Sequence, residues 1–307
     1  MAVIPVTLVG IGKIARDQHL PAIAANPDFR LAAAVSRNET VPGVPNFKTI
    51  DEFLVHGPEG AVSLCTPPAV RTDAALKVIA AGRDLMIEKP PAATLGEIET
   101  IIDAARAAGV SFFVTWHSRY APAVPAAKAW MAGRRIDSLS INWREDVRRW
   151  HPNQTWIWQP GGFGVLDPGI NALSILTEIL PGPIHVRASR FEVPANAFTP
   201  IGVEMTLQAR GSIPIDVVFD WRQQGPQTWD IVVRAEGHVM ALHSGGATMT
   251  LDGSVVSSEP EAEYPTIYRM FADMVRGRTS NTDISPLRIC ADAYLTGSHI
   301  ATDPFHD

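Results

Sequence analysis

Short apolar runs alternate with longer stretches of helical periodicity through the first third of the chain. The apolar runs are rich in small and β-branched residues, and each is followed by a polar or glycine-containing segment. These runs are predicted strands over residues 6–9, 31–35, 61–65, 85–87 and 111–115. Strands that alternate with helices predict βαβ units and therefore a parallel sheet.

The intervening stretches 18–25, 72–81 and 95–108 are predicted helices. The last of them begins after Thr94, which has the spacing of a capping box with Glu97, and ends at Gly109. Together with the strands, these helices predict an N-terminal Rossmann domain over residues 1–118.

The pattern changes in the second half, where apolar and polar positions alternate over longer runs. After a predicted helix over 123–131, these runs are predicted strands over residues 139–143, 203–209, 215–221, 229–235 and 249–251. Short connections at 210–212 and 223–226 favour hairpins, so we expect an α+β domain over 119–307 with a large open antiparallel sheet. Two predicted helices, 264–276 and 286–302, are candidates to pack back on the first domain.

Composition narrows the classes of partner and compartment. The 307 residues are enough for two domains, and the net charge of −6 gives no basic surface for nucleic acid or an anionic membrane. Cys65 and Cys290 are the only cysteines, which predicts neither a disulfide framework nor a metal site and fits a reducing cytoplasm. The chain starts without a basic leader and has no long apolar run, so we expect a cytoplasmic protein with a small-molecule ligand.

A Gly-x-Gly-x-x-Ala sequence follows the first predicted strand and predicts a dinucleotide-binding loop. Gly10 serves the tight turn, Gly12 lets a phosphate approach the backbone, and Ala15 lets the helix pack on the strand. Lys13 and Ile14 complete this predicted cofactor-binding loop.

The end of the second predicted strand indicates which dinucleotide is preferred. Ser36 and Arg37 occupy the place where an NAD enzyme usually carries an acidic residue. A hydroxyl and a guanidinium favour a 2′-phosphate, so we expect NADP to be preferred and NAD to be the second choice. The alternative is that Arg37 is a solvated loop arginine.

Two more strand ends are predicted to line the cofactor. Cys65, Thr66 and Pro67 form a stiff loop after the third predicted strand, and Glu88 and Lys89 follow the fourth. The ammonium of Lys89 is the first catalytic candidate because it could stabilise an oxyanion that develops beside a nicotinamide. The alternative is a lysine at the strand end that extends into solvent.

These motifs, the change to antiparallel strands and the chain length resemble, over essentially the whole chain, the glucose-fructose oxidoreductase and inositol dehydrogenase family (Gfo/Idh/MocA). The resemblance implies a later segment, Asp-x-Gly-x-His-x-x-Asp, that lines the substrate pocket. Here that segment begins at Asp167, and Asn171 and Ser174 replace the family's histidine and final aspartate. Because an amide cannot take a proton, Asp167 or Lys89 must accept it while Asn171 orients the hydroxyl.

Four of the eight tryptophans lie in one short stretch with several charged residues. Within it, Glu145 shares a strand face with Leu139, Ile141 and Trp143, which places a carboxylate at the end of an apolar stripe. Indole faces and a few polar groups suit a sugar pocket. The predicted substrate-binding residues are Glu145, Trp150, His151, Trp156 and His117. The alternative is that the tryptophans are core or interface anchors.

Within the family, residues 145–152, 156–158 and 167–174 are most similar to bacterial enzymes that oxidise L-arabinose or D-galactose at C1. This resemblance implies an NADP-preferring aldose 1-dehydrogenase that forms an aldonolactone. A non-catalytic sensor of the same fold and an inositol-type secondary-alcohol dehydrogenase are the alternatives. The open face of the second sheet is a candidate homodimer surface.

Overall fold

The computed structural model describes residues 2–306 and divides into two compact units. The first unit contains the described residues up to His117 together with Tyr264–Ile284. The second contains Ser118–Glu263 together with the described residues from Ser285 onward. Each unit is therefore built from two separate stretches of the chain.

A six-stranded parallel sheet forms the core of the first unit. Its strands are β1 (Ile4–Val9), β2 (Phe29–Val35), β3 (Asn46–Phe47), β4 (Ala61–Leu64), β5 (Leu85–Glu88) and β6 (Phe112–Thr115). They lie in the order β3-β2-β1-β4-β5-β6, and every neighbouring pair is parallel. This is the strand order of the dinucleotide-binding Rossmann fold, so the predicted fold is confirmed.

Helices connect these strands: α1 (Leu20–Ala25), α2 (Ile50–His56), α3 (Arg71–Ala80) and α4 (Leu95–Ala108). A π-helical turn, Ala15–His19, leads into α1. The capping box predicted for α4 is present, since Thr94 Oγ1 accepts from the Glu97 amide and the Glu97 carboxylate accepts from the Thr94 amide. Gly109 ends α4 at φ +64°, a conformation that glycine adopts without steric cost.

The second unit contains a nine-stranded sheet. Its strands are β7 (Ile136–Arg144), β8 (Ile184–Pro194), β9 (Gly202–Ala209), β10 (Ile213–Asp220), β11 (Thr228–Ala235), β12 (His238–His243), β13 (Thr248–Leu251), β14 (Ser254–Ser258) and β15 (Ser298–Thr302). Their order is β14-β13-β12-β11-β7-β10-β9-β8-β15. Most pairs are antiparallel, but β7 with β10 and β8 with β15 are parallel, so the expected antiparallel sheet is mixed.

Two local predictions for this unit are wrong. The connection at 223–226 is not a hairpin, because β7 lies between β10 and β11 and pairs with both. The helix predicted over 286–302 ends at Thr296, and the residues after Gly297 form β15. A Cβ on Gly297 would lie 2.4 Å from the Phe191 ring, so only glycine fits where the helix stops.

The remaining helices are α5 (Val124–Met131), α6 (Val147–Trp150), α7 (Leu166–Ile179), α8 (Glu263–Gly277) and α9 (Ser285–Thr296). In the second unit, α7 packs against α5 and α9. Gly169 brings α7 against β10, since a Cβ there would lie 2.5 Å from the Phe219 ring. This close packing fixes the amino-terminal end of α7, which carries Asp167.

Helix α8 belongs mainly to the first unit, and α9 to the second. The Phe271 ring of α8 stacks on Phe29 of β2 at 5.8 Å between centroids, and Arg276 pairs with Asp28 at 2.7 Å. The segment Tyr264–Ile284, which is distant in sequence from the rest of the first unit, therefore completes the core of that unit. Across residues 2–306, every helix is too short or too polar to cross a membrane.

Candidate active site

The predicted cofactor residues of the first unit follow the carboxyl ends of neighbouring parallel strands. Gly10 follows β1 at φ +90°, and a Cβ there would lie 2.9 Å from the Thr66 amide nitrogen. Gly12 differs, because no atom of the described residues lies within 4 Å of a Cβ built on it. Gly10 thus permits the tight turn, whereas Gly12 leaves space above the backbone. Lys13 forms an ion pair with Asp17, and Ile14 is half-buried.

A dinucleotide fits these residues. Besides the open space at Gly12, the Oγ1 atom of Thr66 is buried and has no hydrogen-bond partner among the described residues. Buried hydroxyls are almost always paired, so an orphan hydroxyl beside a glycine turn fits a ligand that supplies the missing partner. Cys65 and Thr66 are half-buried in this loop, and Pro67 is exposed.

Ser36 and Arg37 follow the end of β2, as the sequence predicts. Ser36 Oγ accepts a hydrogen bond from the Glu39 amide at 3.3 Å, and the Glu39 carboxylate is paired with Arg16. The Arg37 side chain is exposed, and its carbonyl accepts from Lys48 Nζ at 3.1 Å. The end of β2 therefore presents two cations.

Glu88 is held by a buried network at the end of β5. Its side chain has 3% of its surface exposed. Oε1 accepts from the Tyr264 hydroxyl at 2.9 Å and from His19 Nε2 at 3.0 Å, and Oε2 accepts from the Lys89 amide at 3.0 Å. This network fixes the backbone that carries Lys89, whose side chain is half-buried.

The network keeps its carboxylate charged. Burial alone would raise the pKa of Glu88, but hydrogen bonds and charge attraction from His19 lower it to about 2. Burial alone would lower the pKa of His19, but its neighbours Cys65 and Tyr268, with Glu88, raise it well above its ordinary value. The pair is therefore a buried ion pair. His117, predicted to bind substrate, stacks on Tyr264 at 5.6 Å between ring centroids.

Arg71, at the start of α3, joins two cofactor loops. It is 3% exposed, and its Nε donates to the Thr66 carbonyl at 2.7 Å. Its Nη1 donates to the carbonyls of Glu88 and Pro90. The guanidinium thus fastens the loop after β4 to the loop after β5, where the Lys89–Pro90 peptide is cis.

The residues that support Glu88 and Lys89 were not predicted from the sequence. Arg71 had one available signal, since it is a charge placed directly after the proline-containing loop. His19 and Tyr264 had no local signal, because Tyr264 lies 176 residues from its partner Glu88.

In the second unit, two indoles hold Glu145. The carboxylate is 5% exposed and follows β7, beyond the buried residues of the same strand face. Trp221 Nε1 donates to Oε1 at 3.2 Å, and Trp229 Nε1 donates to Oε2 at 3.0 Å. Neither tryptophan was predicted as a site residue from the sequence, although the two lie on either side of the connection at 223–226.

His151 lies between two buried carboxylates. Its Nε2 is 3.6 Å from Glu145 Oε1 and 4.0 Å from Asp167 Oδ2. Asp167 is 5% exposed and lies in the first turn of α7, where the helix dipole favours negative charge. Asn171 lies one turn further along α7, and its carbonyl accepts from the Ser174 hydroxyl at 2.7 Å. The structure therefore brings Asp167, at the start of α7, close to the same ring nitrogen as Glu145, at the end of β7.

Three of the four tryptophans in the short stretch pack against the indoles of Trp221 and Trp229 that hold Glu145. The Trp150 ring meets Trp229 edge-on at 5.3 Å, and Trp158 meets Trp221 at 5.1 Å. Trp143 lies 6.4 Å from Trp229. Trp156 is half-buried in the turn Thr155–Trp158.

The predicted site residues form two groups, one in each unit. The first unit holds Gly10, Gly12, Lys13, Ile14, Ser36, Arg37, Cys65, Thr66, Pro67, Glu88, Lys89 and His117. The second holds Glu145, Trp150, His151, Trp156, Asp167 and Asn171.

Comparison with known proteins shows the relatives of this chain. Residues 4–116 match the model of the Gfo/Idh/MocA oxidoreductase family, which has an NAD-binding Rossmann fold. The chain is 41% identical over 302 residues to galactose 1-dehydrogenase of Pseudomonas fluorescens, and the match covers 98% of each protein.

Two solved structures extend the comparison. The crystal structure of a D-galactose-1-dehydrogenase from Rhizobium etli is 48% identical with a TM-score of 0.96, covering 100% of this chain and 99% of that one. A 3-ketoreductase from Actinomadura kijaniata in complex with NADP and TDP-benzene has a TM-score of 0.87 at 16% identity, covering 98% of this chain and 100% of that one. The second likeness shows a shared fold alone.

Proposed function

Because the chain belongs to the Gfo/Idh/MocA oxidoreductase family, we propose that it is an aldose 1-dehydrogenase that oxidises C1 of D-galactose or L-arabinose to the aldonolactone with NADP. The observation that carries the proposal is its likeness, over nearly the whole length, to two galactose 1-dehydrogenases. The two sugars have matching hydroxyl stereochemistry around the ring, so one pocket can accept both.

The second unit supplies the sugar-binding groups in this proposal. Glu145 and His151 bind hydroxyls, and Trp150 and Trp156 present flat faces to sugar C–H groups. Glu145 is suited to this role because its two oxygens are fixed by Trp221 and Trp229, so a hydroxyl meets an acceptor that is already oriented. His117 of the first unit is assigned to the sugar as well.

The chemistry divides between a cation and a carboxylate. Gly12 and Thr66 would help to hold the dinucleotide, and its nicotinamide would supply the acceptor for the hydride from C1. Lys89 holds the C1 oxygen and stabilises the negative charge that develops on it. Asp167 accepts the hydroxyl proton, and Asn171 orients the hydroxyl because an amide cannot take that proton itself.

The residues at the end of β2 support the proposed preference for NADP. Arg37 and Lys48 supply positive charge for a 2′-phosphate, and the nearby carboxylate of Glu39 is paired with Arg16. We expect Arg37→Ala to lower the ratio of kcat/KM for NADP to that for NAD by about tenfold, equivalent to one charge-assisted hydrogen bond. Arg106→Ala, an exposed substitution on α4, is the matched control. An unchanged ratio in Arg37→Ala would show that another group selects the cofactor.

A matrix of sugars and cofactors tests the activity itself. We expect nicotinamide reduction with D-galactose and L-arabinose, and a lactone that opens to the aldonic acid as the product. Lys89→Met and Asp167→Asn should each reduce kcat by about 100-fold or more. Turnover of inositol without lactone formation would indicate a secondary-alcohol dehydrogenase, and silence with every sugar would indicate a sensor.

A further inference from the structure

His151 has the surroundings of a proton carrier as well as those of a hydroxyl-binding group. Its side chain is 15% exposed, and its Nε2 lies 3.6 Å from Glu145 and 4.0 Å from Asp167. A histidine that only binds a hydroxyl does not need a carboxylate on each side. Two carboxylates beside one ring nitrogen provide a donor for a proton and a counter-charge once the ring has received it.

The other ring nitrogen determines which nitrogen can receive a proton. Nδ1 lies 3.4 Å from Gln154 Oε1, an amide oxygen that can only accept a hydrogen bond, so Nδ1 carries a hydrogen. In the neutral ring, Nε2 then holds the lone pair. Nε2 is the nitrogen that faces both Asp167 and Glu145.

The Glu145 carboxylate is fixed beside the His151 imidazole by hydrogen bonds. Each of its oxygens already accepts from an indole N–H, and indole nitrogen can donate but cannot accept. These two hydrogen bonds fix the carboxylate in its position beside the imidazole. The Trp221 ring also packs against His151 at 5.2 Å between centroids and so holds the imidazole beside the carboxylate.

We propose that His151 is the proton carrier of this site: it takes from Asp167 the proton that the sugar hydroxyl gives up, and Glu145 stabilises the resulting imidazolium. This inference rests on the proposed function and supplies an imidazole that the family places at the position of Asn171. The 4.0 Å between Nε2 and Asp167 Oδ2 closes to a hydrogen bond by a side-chain shift of about 1 Å or through one water.

The proton is accounted for at each step. The sugar O–H bond breaks as Asp167 forms a new O–H bond, and that bond breaks as His151 Nε2 forms an N–H bond. His151 then releases the proton to water, since its ring is partly exposed, and both side chains return to their starting forms. The relay moves only a proton. The two electrons of the oxidation leave C1 with the hydride in the proposed activity.

Kinetics of His151→Asn and His151→Gln test the relay. In repeated turnover with saturating NADP and D-galactose, where Asp167 must lose its proton before each new cycle, we expect both variants to reduce the nicotinamide about 100-fold more slowly than the unsubstituted protein. KM for the sugar should change only a few-fold. Added imidazole should accelerate both variants in proportion to its concentration, and it should not accelerate the unsubstituted protein. His185→Asn, at an exposed position of β8, is the matched control.

The outcomes separate the relay from other roles. A normal rate in both variants overturns it. A slow rate that imidazole does not restore also overturns it and assigns His151 to shaping the pocket. If no sugar is oxidised by the unsubstituted protein, the proposed function fails before the variants are compared. Loss of secondary structure in His151→Asn is detected by circular dichroism, and the test then rests on His151→Gln.

Discussion

At the residue scale, each unit contains a buried carboxylate that is stabilised by directed hydrogen bonds. Glu88 receives three donors, from His19, Tyr264 and the Lys89 amide, while Glu145 receives two indole N–H groups. A buried charge without such partners would be strongly unfavourable. Hydrogen bonds to both oxygens also fix the direction of each carboxylate. Glu88 thereby holds the backbone of Lys89 in one position, and Glu145 is held as an oriented acceptor.

The ion pair of Glu88 and His19 predicts how stability depends on pH. The pKa of Glu88 is about 2 in the folded protein, below its ordinary value of 4.5, so the unfolded chain takes up its proton first as the pH falls. The stabilisation is complete above pH 4.5 and is lost as the pH falls towards 2, on the order of 3 kcal/mol in total. The raised pKa of His19 acts in the opposite direction, and its contribution is lost as the pH rises well above 6.5.

We therefore expect Glu88→Gln to flatten the acid side of the stability profile. Urea unfolding at a series of pH values would measure this, with the exposed Glu59→Gln as the control for removing one carboxylate. Parallel acid limbs in Glu88→Gln and the unsubstituted protein would show that Glu88 is not paired as described.

At the element scale, the sequence predicts what local periodicity and local capping determine. Helix α4 forms between its capping box and Gly109, and β7 buries its alternate residues as expected. The failures occur where distant strands decide the outcome. β11 pairs with β7 rather than with β10, and β15 forms only because β8 has an edge to which it can add. Alternation along one strand shows that it has a buried face but not which strand lies beside it.

Gly10 and Gly12 give an element-scale prediction about the loop after β1. Gly10→Ala should destabilise the first unit, because the residue adopts φ +90° and its Cβ would meet the Thr66 backbone at 2.9 Å. Gly12→Ala should leave the melting temperature within about 2 °C, since its Cβ would point into open space, and should raise the Kd for NADP about tenfold or more by occupying that space.

Thermal unfolding and isothermal titration on the two variants separate these effects. The result that contradicts the assignment is a Gly12→Ala protein that binds NADP normally, because the dinucleotide phosphates would then lie elsewhere.

At the scale of the whole molecule, the site residues within each unit are supported by residues from distant parts of the chain. Glu88, Lys89, Glu145 and Asp167 are individually visible in the sequence as charges at element ends. Their partners are not, because Tyr264 is 176 residues from Glu88 and Trp221 is 76 residues from Glu145. Sequence patterns report burial and periodicity over short windows, so they identify which residues are unusual but not which residues support them.

The last described residues of the chain support the tryptophans around Glu145 in the second unit. The Phe305 amide donates to Asn196 Oδ1 at 3.0 Å, and the Asn196 amide donates to the Phe305 carbonyl at 2.7 Å. The Phe305 ring then packs against Trp158 at 5.7 Å and beneath the Arg148 guanidinium at 4.9 Å. Trp158 contacts Trp221, which donates to Glu145, so the ring of Phe305 is three contacts away from the carboxylate.

Phe305→Ala should therefore weaken sugar binding without affecting the dinucleotide. Loss of an aromatic contact and a cation–π contact is worth about 1 kcal/mol, which corresponds to about a fivefold increase in KM for the sugar. The Kd for NADP should be unchanged, because the nucleotide residues belong to the other unit. His306→Ala, an exposed neighbour, is the matched control. If KM stays constant while only the melting temperature falls, the carboxyl-terminal segment stabilises the fold but does not position Glu145.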